Sequence, residues 1–202
     1  MSDFKEKLKD AICSNDVNYL IANRDKYDIN EQFEDEDNDT LLLYSISYNR
    51  SNVYRYFLDN FADYNKVNDL GETIVHAIVF SGDIKRMQEV LCRYSRIDIN
   101  KQSKDGSTPL LIAISLDKFD IAKYLIEQGA DINITDKNGL SPLHLAAASD
   151  DLELVKLLVR KGANLIKKTN NGNRPLALSV NDSKNNEIIR YLYNCIYNGI
   201  SR

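Results

Sequence analysis

The sequence predicts an all-α fold, a solenoid of stacked helix-turn-helix units joined by short β-hairpin loops. Three observations predict it: a Thr or Ser recurs about every 33 residues, apolar residues follow it at helical spacing, and Asn-Gly or Asp-Gly dipeptides separate the units. A lone helix pair of this size cannot bury its apolar face. Neighbouring pairs must therefore stack to make a continuous core.

The repeat is clearest between residues 105–133 and 138–166, which align position by position. The residue that opens each unit recurs at intervals of 33, 35, 33 and 33 when Arg174 is counted as the last occupant of that slot. The earlier occupants are Thr40, Thr73, Thr108 and Ser141.

These units resemble the repeats of the ankyrin family. The family's T-P-L-H-x-A core stands here as Ser141-Pro142-Leu143-His144-Leu145-Ala146, and less completely at Thr108-Pro109-Leu110 and Thr73-Ile74-Val75-His76. Its G-A-D-x-N ending stands as Gly129-Ala130-Asp131-Ile132-Asn133. The resemblance implies an ankyrin-repeat solenoid that covers the whole chain in six units.

We expect a single ankyrin-repeat domain over residues 1–202. Its end units depart from the repeat pattern, as capping units do. The predicted boundaries are 1–34 for the N-terminal capping unit, 35–67, 68–102, 103–135 and 136–168 for the repeats, and 169–202 for the C-terminal capping unit.

Local physical chemistry explains why the same residue types recur in each repeat. A Thr or Ser at the opening position offers an N-cap oxygen, and Pro142 occupies the first helical position, where a missing N–H costs nothing. We predict a first helix over 142–149 and a second over 152–160, ended by a left-handed Gly162. The second helix places four apolar residues on one side: Leu154, Val155, Leu157 and Leu158.

The net charge and its distribution along the chain indicate which class of partner to expect. The formal net charge is -4, and residues 1–40 alone contain 5 basic and 12 acidic side chains, a net charge of -7. Nucleic-acid binding depends on clustered Lys and Arg. We therefore expect no nucleic acid, and another protein with a basic surface as the partner.

Cys13, Cys92 and Cys195 are widely spaced, with no CxxC and no Cys/His cluster, which excludes a disulfide framework and a zinc finger. We interpret all three as small buried apolar residues. No apolar stretch has the length of a membrane span, so no membrane association is predicted. The expected location is cytoplasmic, or a host cell reached without a classical signal peptide.

His76 and His144 are the only histidines and the first candidates for metal binding or general-base chemistry. Both occupy the family's TPLH slot, two repeats apart, which favours a structural role in bonding neighbouring backbone. Phosphate loops, HExxH and GxSxG motifs are missing from the sequence. We predict no enzyme activity, no metal site and no cofactor.

The resemblance implies that a partner lies in the concave groove, where it touches hairpin tips and the exposed ends of the first helices. We expect Tyr48, Phe80 and Leu116 as apolar anchors, because an apolar cluster on a monomer often marks an interface. The alternative is that these three side chains pack against the next repeat and have no role in binding. The other predicted partner-binding residues are Leu70, Leu140, Asp37, Asp39, Glu72 and Asp105.

Six carboxylates lie within nine residues at the first hairpin loop. This run is either a solvated loop or a surface that attracts a basic partner. Its members are Glu31, Glu34, Asp35, Glu36, Asp37 and Asp39.

Three classes of function follow. The first is a monomeric protein-interaction module, in a narrower form an inhibitor, an immunity protein or an effector-type adaptor. The second is an enzyme or small-ligand binder that uses Cys92 or a histidine in a cleft. The third is a purely structural repeat protein that assembles with itself, which the polar end units disfavour.

Overall fold

The computed structural model describes residues 2–34, 37–149, 151–179 and 186–199. The chain divides into two compact halves, Met1–Lys104 and Asp105–Arg202, called here the N-terminal half and the C-terminal half. A single domain over the whole chain stays a prediction. Each half is built from consecutive pairs of helices, as the repeat predicts.

In the N-terminal half, the first helix of each pair packs against the first helix of the next. The first helices are α1 (Ser2–Cys13), α3 (Leu41–Ser47) and α5 (Ile74–Ser81). The second helices are α2 (Val17–Ala22), α4 (Ser51–Asp59) and α6 (Ile84–Arg93). Because α3 contacts both α1 and α5, its residues Leu41 to Leu43 and Ile46 are buried on several sides.

The C-terminal half repeats the arrangement. Its first helices are α7 (Pro109–Ser115), α9 (Pro142–Ala147) and α11 (Pro175–Ser179). Its second helices are α8 (Phe119–Glu127), α10 (Leu152–Arg160) and α12 (Asn186–Tyr197). Contacts join α7 to α9, α9 to α11, α8 to α10 and α10 to α12, so two rows of helices enclose the core.

The opening Thr or Ser acts as the predicted N-cap. The side chains of Thr40 and Thr108 accept hydrogen bonds from the backbone N–H three residues later, at 3.2 Å in both cases. Thr73 and Ser141 form capping boxes, in which a histidine takes the place usually held by Glu or Gln. The Thr or Ser that opens the motif therefore sets the start of four first helices, α3, α5, α7 and α9.

Hairpin loops connect the pairs, and Gly139 and Gly106 have the positive φ angles, 78° and 86°, that their dipeptides predict. Single backbone hydrogen bonds close them, such as the bond from Asp136 N–H to Leu140 O at 3.1 Å. No regular strand forms in the part of the chain that the structure describes.

Backbone hydrogen bonds also join successive loops within each half. In the N-terminal half, Asp69 N–H donates to Asp37 O at 2.8 Å, and Lys104 N–H donates to Leu70 O at 2.7 Å. Residues 137 and 170 donate in the same way in the C-terminal half. Each loop is therefore held at a fixed place relative to its neighbour.

Two local predictions are wrong. Helix α9 ends at Ala147 rather than at residue 149. The N–H groups of Ala148 and Ser149 donate to the carbonyl oxygens three residues earlier, which is the 3₁₀ pattern and not the α-helical one. In α10, whose predicted bounds are confirmed, Leu157 is only half-buried and Val159 is buried instead. The apolar side of α10 is therefore rotated toward Val159.

Candidate partner-binding site

Five of the predicted partner-binding residues line one cavity of about 300 Å³ in the N-terminal half. It lies where two hairpin loops meet the ends of α3 and α5. We call it the acidic groove. Its lining residues are Asp37, Asp39, Leu43, Ser47, Asn68, Leu70, Glu72, Thr73, Ala77 and Phe80.

The acidic groove has an apolar wall. Leu43 and Ala77 are buried, whereas Phe80 in the last turn of α5 is 47% exposed and Leu70 at the hairpin tip is 43% exposed. A contiguous apolar patch rimmed by polar residues is typical of an interaction surface, whereas single exposed apolar side chains are common on any protein. The prediction that Phe80 and Leu70 face solvent is confirmed.

Asn68 organises the carboxylates of the groove. Its Nδ2 donates to Asp39 Oδ1 and to Glu72 Oε2, both at 3.0 Å, so these two oxygens lie no further apart than twice that distance. Its Oδ1 accepts from the N–H groups of Leu70 and Glu72, at 3.0 and 2.9 Å. The buried amide thereby fixes both the hairpin and the two acids.

Asp37 adds a third, exposed carboxylate to the groove. Asp35 and Glu36 of the predicted acidic run lie outside the described residues. Glu31 is half-buried, and burial raises the pKa of its carboxyl. Among the described residues that line the groove, none carries a positive charge.

Tyr48 follows Ser47, a groove residue, at the end of α3 and is 47% exposed. Its ring packs against Tyr44 with centroids 4.6 Å apart, and Tyr44 meets Phe33 edge-on at 4.8 Å. Burial raises the pKa of Tyr44, helped by a hydrogen bond with Tyr48. Tyr48 is therefore exposed to solvent, and its ring is held in place by the packed rings of Tyr44 and Phe33.

The remaining predicted residues belong to the C-terminal half. Leu116, at the end of α7, is 43% exposed, whereas Leu140 is half-buried. Asp105 is exposed, and its carboxylate accepts hydrogen bonds from Ser107 N–H and Oγ–H at 3.0 and 2.9 Å.

Both histidines form hydrogen bonds with the backbone, as predicted. His76 and His144 are fully buried, and each Nδ1 accepts from the backbone N–H of its own N-cap residue. His144 Nε2 lies 3.1 Å from the carbonyl oxygen of Asn173 in the next hairpin loop. Burial lowers the pKa of His144, which keeps the ring neutral in its capping role.

The prediction that all three cysteines are buried is wrong. Cys92 is exposed on α6, and Cys13 and Cys195 are half-buried, so they are not buried apolar residues. Cys92 lies at an outward-facing helical position, and Cys195 faces the cavity described below, where packing is incomplete.

A larger cavity of about 590 Å³ lies in the C-terminal half. The loop after α10, residues 162–167, lines it together with Asn133, Ser141, Cys195 and Ile196. Neither Cys92 nor either histidine lines it, so it does not contain the nucleophile or base of the enzyme hypothesis. In the described parts of the chain, no three His, Cys, Asp or Glu side chains are arranged to hold a metal ion.

Sequence reasoning missed Asn68. The signal was present, because Asn68 stands three residues before Gly71, in the slot that Asp136 occupies before Gly139. There the Asp136 carboxylate accepts from the N–H groups of Asn138 and Leu140. An Asx residue at this slot organises the turn. With Asn, the same slot also supplies an N–H₂ group for nearby carboxylates.

These observations define a repeat protein whose helix pairs present hairpin tips and first-helix ends to solvent. A family model described as ankyrin repeats (3 copies) matches residues 60–136 and 129–201, most of the chain. The chain therefore belongs to the ankyrin-repeat family. Repeats of this family generally mediate protein–protein interaction, and its members are typically not enzymes.

Individual relatives match parts of the chain. It is similar to alpha-latrocrustotoxin-Lt1a of Latrodectus tredecimguttatus, at 33% identity over 56% of this chain and 8% of that protein. It is also similar to neurogenic locus notch homolog protein 1 of Homo sapiens, at 33% identity over 41% of this chain and 3% of that protein. The chain thus spans less than a tenth of the length of these relatives. No helix in the described ranges is long and apolar enough to cross a membrane.

Proposed function

We propose that the protein binds a partner protein through the acidic groove and the adjacent Tyr48. The single observation that carries this proposal is the combination of half-exposed Phe80 and Leu70 with three carboxylates around one cavity. Exposed apolar anchors beside charged groups are the usual composition of a binding hot spot and its rim. The equivalent positions Leu116, Leu140 and Asp105 are proposed as further contacts.

The groove is preorganised, which favours binding. Asn68 holds Asp39 and Glu72, and the bond from Asp69 N–H to Asp37 O holds one loop against the next. A surface that is already ordered loses little conformational entropy when a partner docks. This supports a recognition surface rather than a solvated loop.

We also propose that binding inhibits the partner. A partner surface that is covered by a preorganised face is closed to its other contacts. Titrating the chain into an assay of the isolated partner tests this point: activity should fall in proportion to the fraction bound, and unchanged activity at saturation would show a tether instead.

The binding test compares two double variants of the intact chain. Tyr48→Ala with Phe80→Ala removes the anchors, whereas Ile21→Ala with Phe61→Ala removes exposed apolar residues, 57% and 91% accessible, elsewhere in the same half. Circular dichroism checks that both keep their helices. A protein captured by the native chain serves as the ligand for affinity measurements.

Loss of two anchors should weaken binding by about 30-fold or more, since each truncated hot-spot residue costs at least about 1 kcal/mol and 1.4 kcal/mol is tenfold. The control variant should bind like the native chain. Equal affinities for all three proteins, or equal losses in both variants, would remove the acidic groove from the binding site.

A small-ligand site is the second candidate function, and the 590 Å³ cavity of the C-terminal half favours it. Its volume is in the range of pockets that hold small molecules. Cys195 at its lining provides the test, because a bound ligand should slow alkylation of that thiol. No protection by any compound of a metabolite library would remove this candidate.

A further inference from the structure

One core position of the repeat holds an arginine where four other helix pairs hold an aliphatic residue. The third residue of the second helix is Val53 in α4, Ile121 in α8, Leu154 in α10 and Ile188 in α12, and all four are buried. In α6 the same position is Arg86, which is also buried. Since four pairs fill this position with an apolar side chain, the fold itself does not require an arginine there.

Stability alone does not account for Arg86. A charge taken out of water is destabilising unless it is paired and hydrogen-bonded, and apolar replacements of buried ion pairs are often neutral or stabilising. The ion pair of Arg86 with Asp83 is 3.5 Å long, and its Nε has no hydrogen-bond partner among the described residues. The reason for an arginine at this position must therefore be sought in the particular groups that its guanidinium holds.

The guanidinium of Arg86 holds the turn that follows α3. Its Nη2 donates to Asn49 Oδ1, and its Nη1 donates to the carbonyl oxygen of Ile46 at 3.5 Å. Tyr48, the C-cap residue of α3, lies between these two acceptors in the chain. The ring of Tyr54 on α4 lies under the guanidinium, 4.7 Å from its carbon, and limits the directions in which it can point.

The turn itself is a helix ending with one left-handed residue. Asn49 has a φ of 58°, its N–H donates to Ile46 O, and the N–H of Arg50 donates to Ser45 O, both at 2.8 Å. These bonds set the direction in which the chain leaves α3. Because Arg86 bonds both the carbonyl oxygen of Ile46 and the side chain of Asn49, it fastens this turn to α6.

The corresponding turn after α1 is fastened without an arginine. There Asn15, with a φ of 60°, accepts through its Oδ1 from the N–H groups of Asn52 and Val53 at the start of α4, at 3.2 and 3.3 Å. The side chain of Asn49 is bonded by a guanidinium instead. The turn after α1 is therefore an internal reference for the turn after α3.

We propose that Arg86 is a positioning residue for the partner-binding site, which fixes the turn after α3 and thereby the direction of Tyr48. This inference rests on the proposed function, in which Tyr48 is an anchor beside the acidic groove. Ser47, which lines the groove, directly precedes Tyr48, so the same contact fixes one edge of the groove. An anchor that is already ordered loses less conformational entropy when a partner docks.

Four variants of the intact chain test the contact. Arg86→Met removes the guanidinium and keeps most of the buried volume. Asn49→Gly removes the acceptor from the exposed side without strain, because glycine adopts the left-handed conformation freely, whereas Asn49→Asp keeps an oxygen for the guanidinium. Arg55→Met is the control, because the Arg55 guanidinium lies 5.6 Å from the same Tyr54 ring but bonds Glu89. Circular dichroism checks that all four keep their helices.

Native-state hydrogen exchange is the first readout, and it needs no partner. The quantity is the protection of the Arg50 amide, its exchange rate relative to that of an unstructured chain. In Arg86→Met and in Asn49→Gly this protection should fall at least about tenfold, because a hydrogen bond from a charged donor stabilises its acceptor by about that factor or more. Asn49→Asp and Arg55→Met should keep the native protection, and so should the amide of Asp16 in the turn after α1 in every variant.

A purely structural role of Arg86 predicts a different pattern. Loss of core packing would lower the protection of both turns, since both belong to the N-terminal half. Equal losses at Arg50 and Asp16 in Arg86→Met, or native protection of Arg50 in that variant or in Asn49→Gly, would overturn the proposal. A loss in Asn49→Asp as large as that in Asn49→Gly would overturn it too.

The second readout is the affinity for the partner protein that the native chain captures. Arg86→Met should weaken binding by at least about threefold, because the partner must then order a turn that Arg86 holds in the native chain. In a Tyr48→Ala background the same change should have little further effect, since Arg86 acts through Tyr48. Native affinity of Arg86→Met, or an equal loss with and without Tyr48, would overturn the positioning role.

The two proposals fail separately. If protection of Arg50 is native in Arg86→Met but the Tyr48 and Phe80 double variant loses the partner, the positioning role is wrong and the interaction function stands. If Arg86→Met loosens the turn but the double variant keeps the partner, Arg86 holds the turn as inferred, and the partner-binding function of the acidic groove is wrong.

Discussion

The guanidinium of Arg86 lies over the ring of Tyr54, with 4.7 Å between the guanidinium carbon and the ring centroid, and both side chains are buried. Arg86 also donates to the side-chain oxygen of Asn49 and forms an ion pair with Asp83 at 3.5 Å. Its Nε has no hydrogen-bond partner among the residues that the structure describes. A charged side chain thus joins α6 to the segment after α3 from inside the core.

Arg86→Ala should destabilise the protein by about 3 kcal/mol, since it removes buried volume and leaves the polar groups around Arg86 without their partner. Arg86→Met keeps most of the volume and should cost less than half as much. Arg55→Ala is the control, because Arg55 pairs with Glu89 at the surface and should cost less than about 1 kcal/mol. Urea unfolding measures all three, and equal losses for Ala and Met would show that packing around Arg86 is unimportant.

Gly106 and Gly129 provide a matched pair for separating backbone strain from steric contact. Their φ angles are alike, at 86° and 90°. A Cβ on Gly106 would lie 2.9 Å from the backbone nitrogen of Lys137, whereas no described residue other than its own chain neighbours lies within 4 Å of one on Gly129. Gly129→Ala should cost about 1 kcal/mol, the price of a left-handed Ala.

Gly106→Ala should cost about 2 to 3 kcal/mol, since the same strain is joined by a backbone clash that neither side can relieve. Thermal and urea unfolding of the two variants check the difference. If both lose the same stability, the loops move apart freely and the hydrogen bond from Lys137 N–H to Asp105 O does not hold them.

The helix pattern was predictable because it depends on local rules. An N-cap oxygen and a glycine after the last turn act within a few residues, so the bounds of α10, which Asp151 caps, follow from its own sequence. Gly162, at φ 94°, ends that helix as predicted.

What the sequence could not show depends on contacts between distant residues. Arg86 looks like a surface residue of an amphipathic helix, and only the fold reveals Asn49 and Tyr54 beside it. Asn68 looks like an ordinary turn residue until Asp39, 29 positions earlier, meets it in space. The individual acids of the groove were predicted, but the buried amide that brings two of them together was not.

Phe61 occupies the slot in which other repeats have Gly129 and Gly162. Its φ is 66°, in the left-handed region that a bulky residue rarely adopts, and its side chain is 91% exposed. Phe61→Gly should therefore stabilise the protein by about 1 kcal/mol, since strain is relieved and little packing is lost. Phe61→Ala controls for removal of the ring, and it should gain less than Gly does. A loss of stability in Phe61→Gly would show that the ring packs in solution.

The buried ring of His144 should make stability depend on pH. Burial lowers its pKa below the ordinary value of 6.5, so the unfolded chain takes up a proton at a higher pH than the folded protein does. The stabilisation is fully present above about pH 6.5 and is lost as the pH falls from there through the folded pKa.

In that window the unfolding free energy should fall with acidification by at most about 1.4 kcal/mol per pH unit for this one group. Urea unfolding between pH 7 and 5.5 measures the slope in the native protein and in His144→Gln, which cannot titrate. The variant is expected to be less stable at pH 7, because Gln can keep the capping bond but does not replace the packing of the buried ring or its contact with the Asn173 carbonyl, and its slope should be shallower. Parallel slopes in the two proteins would mean that His144 is protonated equally in the folded and unfolded states, which its burial between Ser141 and Asn173 opposes.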